Sequence, residues 1–277
     1  MGIIAFDWAE NRLTVLQNRD EQESRQVVFI DLFLNVNEAA WLENGNILAG
    51  LGNPDGGTWL GCSKTGRVAF LLDSIPWPRH PTRRGEHLTL DFIEGTRTPD
   101  QFAEDVIRMQ NKGLAFHLVV ADVFGTKSLV YICKKRRDSD HVTKTHVPYG
   151  VHTITTNGID KGEEVRRKFA AVTEWTHSQS LELPMELSLR QIILELPNVQ
   201  RTMNRLQGIK TPDDHDPIDL TSFFKRDGPL QTNCSTVVVV VPRAAGGGGR
   251  CIFHEKYMRN HRKWDEKCFF FDMAPNA

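Results

Sequence analysis

The sequence has few cysteines, and those it has are scattered. Five occur among 277 residues, and no two of them form a C-x-x-C motif. Structural zinc sites and disulfide frameworks rely on regularly spaced cysteines, so neither is indicated as the basis of the fold. An odd number of scattered thiols fits a protein of a reducing compartment. The five positions are Cys62, Cys133, Cys234, Cys251 and Cys268.

Long apolar runs and an excess of charge of one sign are also missing. The 34 basic side chains balance 35 acidic ones, which gives no support for nucleic-acid binding. No apolar stretch reaches the roughly 20 residues that a transmembrane helix needs. Asp7 and Glu10 interrupt the start of the chain, where a signal peptide would be apolar. These absences predict a protein without a transmembrane segment, located in the cytoplasm.

The first 21 residues carry the most informative pattern. Two short apolar runs flank the polar turn at residues 9–12, which is typical of a β-hairpin. The second run ends in the polar block at residues 18–21, NRDE. Such a block is usually a salt-bridged loop, but here the hairpin would place Arg19 and Asp20 beside the start of the chain.

The rest of the chain predicts strands at both ends with helices between them. We expect strands at 58–62 and 67–72, in one antiparallel sheet with residues 13–16, and further strands at 115–121, 128–133, 151–156 and 234–241. Thr98 and Gln101 form a capping box that predicts a helix ending near Gly113. Apolar residues at helical spacing predict another helix over 161–179, and shorter ones are expected over 187–206. This order favours a layered α+β fold in a single domain, residues 1–277.

Five blocks in the same order resemble the NRDE family, which includes the transport and Golgi organisation 2 proteins. They are NRDE at 18–21, GGTWLG at 56–61, RGE at 84–86, FHLVVAD at 116–122 and GVHTITTN at 150–157. One short match would be weak evidence, but five in order are strong. The resemblance implies a four-layer αββα sandwich like that of N-terminal-nucleophile hydrolases. It also implies a role in intracellular haem trafficking.

The same resemblance implies a degenerate hydrolase site. In an N-terminal-nucleophile enzyme the second residue supplies the attacking thiol or hydroxyl, and its own α-amine acts as the base. Relatives commonly have cysteine there, whereas this chain has Gly2. Arg19 and Asp20 would orient the amine, Asn157 would lie on the oxyanion side, and Asn18 completes the set. Without a nucleophile we expect no enzymatic activity, and we expect a cysteine introduced at position 2 to leave the fold intact.

Haem binding is predicted to be transient and non-covalent, because no C-x-x-C-H attachment motif is present. His117 is the candidate ligand and Trp59 a candidate pocket residue, although a hydrogen-bonded strand histidine is the commoner role for such a residue. The segment at 254–261 also contains ligand-type side chains, but on a terminal strand we expect them to be solvated. The expected partners are haem, haem-donating membranes and apo-haemoproteins, with association to mitochondria or to endolysosomal or Golgi membranes. The alternatives are an amide hydrolase and a non-catalytic scaffold of Golgi organisation.

Overall fold

The computed structural model describes most of the chain, including all of the strands below. The described residues are 2–22, 39–42, 45–51, 57–73, 85–109, 114–163, 165–167, 169–170, 230–243, 248–259 and 263–274. The helices expected over 187–206 lie outside these residues, and the prediction of a single domain over 1–277 therefore stays a prediction.

The first sheet, called sheet I, contains the start of the chain. It has seven antiparallel strands in the order β11-β10-β1-β2-β12-β13-β14. The predicted N-terminal hairpin, β1 and β2, lies in its interior, so both strands are paired on both sides. The strands are β1 (Gly2–Ala9), β2 (Arg12–Gln22), β10 (Gly150–Thr155), β11 (Gly158–Ile159), β12 (Leu230–Pro242), β13 (Gly249–Arg259) and β14 (Lys263–Met273).

The second sheet, sheet II, is a seven-stranded antiparallel meander in which each strand pairs with the next in the chain. The prediction that residues 13–16 share a sheet with 58–62 and 67–72 is wrong, because β2 pairs with β1 and β12 of sheet I. The strands are β3 (Ala39–Leu42), β4 (Ile47–Leu51), β5 (Thr58–Ser63), β6 (Arg67–Asp73), β7 (Phe116–Asp122), β8 (Ser128–Lys134) and β9 (Thr143–His146).

The main core lies between the two sheets. Alternate residues of each strand point to one face, and the inward set is apolar over most of its length. Phe6 of sheet I and Phe70 of sheet II meet here, with their ring centroids 5.3 Å apart, and both are fully buried. Burial of this shared layer removes apolar surface of both sheets from water and holds the sandwich together.

In the described part of the chain, two helices cover the outer face of sheet II. They are α1 (Gly85–Glu94) and α2 (Pro99–Arg108), and Phe92 packs against Phe102 between them. The capping box predicted for Thr98 and Gln101 is confirmed. Helix α1 was not predicted, because it follows a proline-rich stretch and begins inside the RGE block.

A helical stretch also covers the outer face of sheet I. Its described residues between 163 and 170 are helical, and Val165 and Phe169 pack against Ala5, Leu16 and Val237 of the sheet. Together with α1 and α2 this gives helix, sheet, sheet and helix layers, which confirms the predicted αββα sandwich. Among the described residues, no helix has the length and hydropathy that crossing a membrane requires.

Candidate functional site

The candidate site lies where β1 begins. In the ladder of sheet I, Gly2 is directly opposite Arg19, and Arg19 is in turn opposite Cys234 of β12. This agrees with the predicted position of Arg19 beside the chain start. Residues directly opposite one another in a ladder direct their side chains to the same face. Arg19 and Cys234 therefore both point between the sheets, and both are buried.

Position 2 has no space for a side chain in the observed backbone arrangement. A Cβ atom built on Gly2 would lie 2.0 Å from the backbone oxygen of Asn18. Such a contact is far inside the van der Waals separation, so the start of β1 must move before any larger residue fits. A cysteine at position 2 therefore requires a local shift of the first rung of the hairpin, and the expectation that the fold stays intact remains a prediction.

A small cavity opens between the sheets next to this rung. It has a volume of about 10 Å³, which is roughly the space that one water molecule occupies and far less than a porphyrin needs. Its walls carry polar and ionisable groups that are unusual inside a sandwich. The lining residues are Gln17, Arg19, Gly50, Trp59, Leu60, Cys234, Thr236 and Glu255.

Glu255 is the central ionisable group of this cavity, and only 2% of its surface is exposed. One carboxylate oxygen accepts a hydrogen bond from the Ala39 amide at 2.6 Å. The other accepts from the Thr236 hydroxyl at 3.2 Å and from the Cys234 thiol at 3.4 Å. Burial raises the pKa of Glu255, while the Ala39 amide and the positive charge of Arg19 lower it. The pKa of the Cys234 thiol is also raised by burial, so this thiol is protonated at neutral pH.

The sequence analysis missed Glu255, because the 254–261 segment was expected to be solvated. That expectation is wrong for its described side chains: His254, Glu255 and Tyr257 are all buried. The available signal was the alternation of β13, in which Phe253, Glu255 and Tyr257 occupy every second position and share the inward face.

Arg19 and Trp59 form the rim of the cavity. The Arg19 guanidinium lies over the Trp59 ring, 4.3 Å from its centroid, in a cation–π contact. Trp59 is only 9% exposed, so its ring is largely covered. Glu255 lines the same cavity, where the positive charge of Arg19 acts on it electrostatically. The Asp20 side chain lies outside the described part of the structure.

The remaining residues of the predicted site do not meet at the cavity. Asn18 follows the alternation of β2 and faces away from Arg19, where its side-chain oxygen accepts a hydrogen bond from the Ser235 hydroxyl at 2.6 Å. Asn157 is exposed in the turn between β10 and β11, and its amide donates to the Thr155 hydroxyl. The structure therefore brings Gly2 and Arg19 together, and leaves Asn18 and Asn157 elsewhere.

His117 is fully buried on the inward face of β7. Its Nδ1 atom is 2.6 Å from the Tyr131 hydroxyl and 3.3 Å from the Cys133 sulfur, and its Nε2 atom is 3.3 Å from the Thr156 carbonyl oxygen. Burial lowers the pKa of His117 to about 4, with a smaller contribution from the charge of Lys135. The ring is therefore neutral at pH 7 and both nitrogens have partners, as in an ordinary hydrogen-bonded core histidine.

The fold and this site together define a class of protein. It is an αββα sandwich whose first strand begins at Gly2, opposite the buried Arg19. The family model described as Transport and Golgi organisation 2 matches residues 1–260, so the chain belongs to this family and the predicted membership is confirmed. No curated protein matches the chain in sequence.

Several solved structures are similar to this chain in fold. A Caenorhabditis elegans N-acylethanolamine-hydrolyzing acid amidase ortholog is 11% identical, with a TM-score of 0.44 over 85% of this chain and 91% of its own. A mutant of conjugated bile acid hydrolase from Clostridium perfringens is 9% identical, with a TM-score of 0.41 over 100% and 97% of the two chains. Another variant of that hydrolase is 7% identical, with a TM-score of 0.41 over 99% and 97%.

Proposed function

We propose that this protein is a non-enzymatic haem-trafficking factor, which carries haem transiently between membranes or to apo-haemoproteins. The observation that carries the proposal is membership of the Transport and Golgi organisation 2 family, in a chain with glycine opposite Arg19 in β1. Glycine supplies no attacking atom, and the backbone oxygen of Asn18 occupies the place of a Cβ atom. A glycine at this position supports the non-enzymatic part of the proposal, because it has no side chain that could attack a substrate.

The rival function, amide hydrolysis, is tested by the activity of two proteins. Neither the natural protein nor Gly2→Cys should turn over acyl amides, because the first lacks a nucleophile and the second cannot place one without displacing β1 from Asn18. The thiol of Gly2→Cys should still react with a maleimide probe. This reaction shows that a thiol is present even though the protein does not turn over amides. Turnover by the natural protein would show that a nucleophile lies elsewhere and would refute the non-enzymatic proposal.

We place the haem outside the cavity between the sheets, because that space holds about 10 Å³ in the observed arrangement. Trp59 is covered by Arg19, and His117 is buried with both nitrogens engaged. Neither residue therefore meets a ligand from solvent in the observed arrangement.

An exposed aromatic surface offers better chemistry for haem. Trp41 on edge strand β3 is 36% exposed and makes edge contacts with Phe271 and Phe269 of edge strand β14, at 4.8 and 6.3 Å between ring centroids. The Lys64 ammonium lies 4.9 Å from the Trp41 ring centroid. Aromatic rings suit the porphyrin face, and an ammonium suits a haem propionate. We place the haem contact on this surface, the Trp41 patch.

A haem titration tests this assignment. The natural protein should shift the Soret band of haem with weak, reversible affinity, and Trp41→Ala should raise Kd by roughly tenfold, which is about 1.4 kcal/mol for one aromatic contact. Tyr149→Ala is the matched control, since Tyr149 is an exposed aromatic that contacts Trp8 away from the patch. His117→Ala should leave the spectrum unchanged.

Two results would alter the proposal in different ways. Loss of binding in His117→Ala, with Trp41→Ala unaffected, would move the haem from the Trp41 patch to a site that opens between the sheets. No spectral change with the natural protein would refute direct haem carriage and favour the non-catalytic scaffold of Golgi organisation.

A further inference from the structure

Two buried cysteines from opposite sheets meet in the central core. Cys62 lies on β5 of sheet II and Cys251 on β13 of sheet I, 189 positions apart in sequence, and their sulfur atoms are 3.9 Å apart. Neither side chain has exposed surface, and both thiols are free. This pair takes no part in the haem patch or in the cavity near Gly2.

Strand pairing within each sheet shows that both thiols point into the core between the sheets. Cys62 is opposite Leu48 and Val68 in its sheet, whereas Cys251 is opposite Val240 and Phe271 in the other. These neighbours belong to the inter-sheet core, so each sulfur points inward from an apolar surface. A disulfide needs Cα atoms within about 7 Å, and immunoglobulin domains show that such a bond fits between two packed sheets.

We propose that Cys62 and Cys251 form an inter-sheet disulfide when the protein folds in an oxidising environment. From their separation of 3.9 Å, the sulfur atoms must approach by about 2 Å to reach the bond length of about 2.05 Å. In a reducing compartment the same residues stay as thiols and pack as small apolar side chains. The site is thus a modification site whose state depends on the redox conditions of folding.

The chemistry needs a small organic disulfide, such as oxidised glutathione, as the oxidant. One cysteine thiolate attacks it and forms a mixed disulfide, releasing one glutathione thiol; the second cysteine then attacks the mixed disulfide and releases another. Two protein thiols are oxidised and one small disulfide is reduced to two thiols. Burial raises the pKa of the Cys251 thiol, so attack in the folded protein is slow and the bond forms mainly during folding.

The other cysteines provide no equivalent partner. Cys268 on the neighbouring strand β14 is exposed and lies opposite His254, on the outer face of sheet I, whereas Cys251 points inward. Cys133 contacts His117, and Cys234 donates to Glu255. The sulfur–sulfur contact joins Cys62 and Cys251, so we expect the bond to form between these two.

The full-length protein should be unfolded and refolded in a glutathione redox buffer, alkylated and digested. Mass spectrometry should then find the peptide containing Cys62 linked to the peptide containing Cys251. Because the bond closes a very long loop, the oxidised protein should melt at least about 5 °C higher than the same sample refolded with reductant. A protein with Cys133→Ala, Cys234→Ala and Cys268→Ser should behave in the same way.

Cys62→Ala is the matched negative control and should show neither the linked peptide nor the increase in Tm. Peptide mapping of the natural protein keeps the test decisive if the substituted proteins fold poorly. Recovery of both cysteines as alkylated thiols after oxidative refolding, or linkage of either one to a different cysteine, would overturn the proposal.

Discussion

Replacing Glu255 with alanine is expected to lower the free energy of unfolding by about 3–5 kcal/mol, because buried hydrogen-bond donors would lose their acceptor at about 1–3 kcal/mol each. The donors are the Ala39 amide and the Thr236 hydroxyl. Urea unfolding at neutral pH, followed by far-ultraviolet circular dichroism, measures the change.

Two further variants show whether the loss arises from this carboxylate. Glu255→Gln keeps the shape but can accept hydrogen bonds at only one of the two oxygen positions, so it should lie between the natural protein and Glu255→Ala. Glu266→Ala, on the neighbouring strand β14, removes an exposed carboxylate and should change stability by less than about 1 kcal/mol. Equal stabilities for Glu255→Ala and Glu266→Ala would contradict the assigned role of Glu255.

The sequence predicted the local parts of the fold well. The N-terminal hairpin depends on two apolar runs and a turn, and the capping box at Thr98 depends on four consecutive residues. The strand predicted at 234–241 lies within β12, although the expectation that its whole valine run is covered is wrong for Val241, which is 37% exposed. These signals lie within a few residues of each other, so no knowledge of tertiary pairing is needed to read them.

The sheet assignment required information that local patterns do not contain. Asn18 of β2 pairs with Ser235 of β12, although more than 200 positions separate them. A short apolar strand does not specify which of several other strands lies beside it, and residues 13–16 were accordingly placed in the wrong sheet. The αββα arrangement came from the family resemblance and not from periodicity.

The site was predicted in part for a related physical reason. Arg19 was found because it belongs to a recognisable block beside the chain start. Glu255 was missed because a carboxylate in a terminal strand usually faces solvent, and its burial depends on the hydrogen-bond donors supplied by Ala39, Cys234 and Thr236. A buried carboxylate is evident only when the donors from other segments are placed around it.

Acidification should destabilise the protein through His117. The pKa of this histidine is about 4 in the folded protein, because burial disfavours the charged ring, and about 6.5 in the unfolded chain. The unfolded chain therefore binds more protons between these values, so the stability contributed by His117 is fully present above about pH 6.5 and is lost as the pH falls towards 4. Between about pH 7.5 and about pH 4.5 the expected loss is about 2.5 kcal/mol.

The comparison with His117→Asn isolates this effect from the other acidic groups, which titrate in both proteins. The variant is less stable at pH 7 because it disturbs the contact with the Tyr131 hydroxyl, but its stability should fall less steeply with acid. Urea unfolding at a series of pH values gives the two curves, and their difference should shrink by about 2.5 kcal/mol over this range. Glu255 acts in the opposite sense, since its raised pKa makes the folded state lose stability as the pH rises above about 4.5. Parallel curves for the two proteins would show that His117 accepts a proton as readily in the folded protein as in the unfolded chain, contrary to its position in the core.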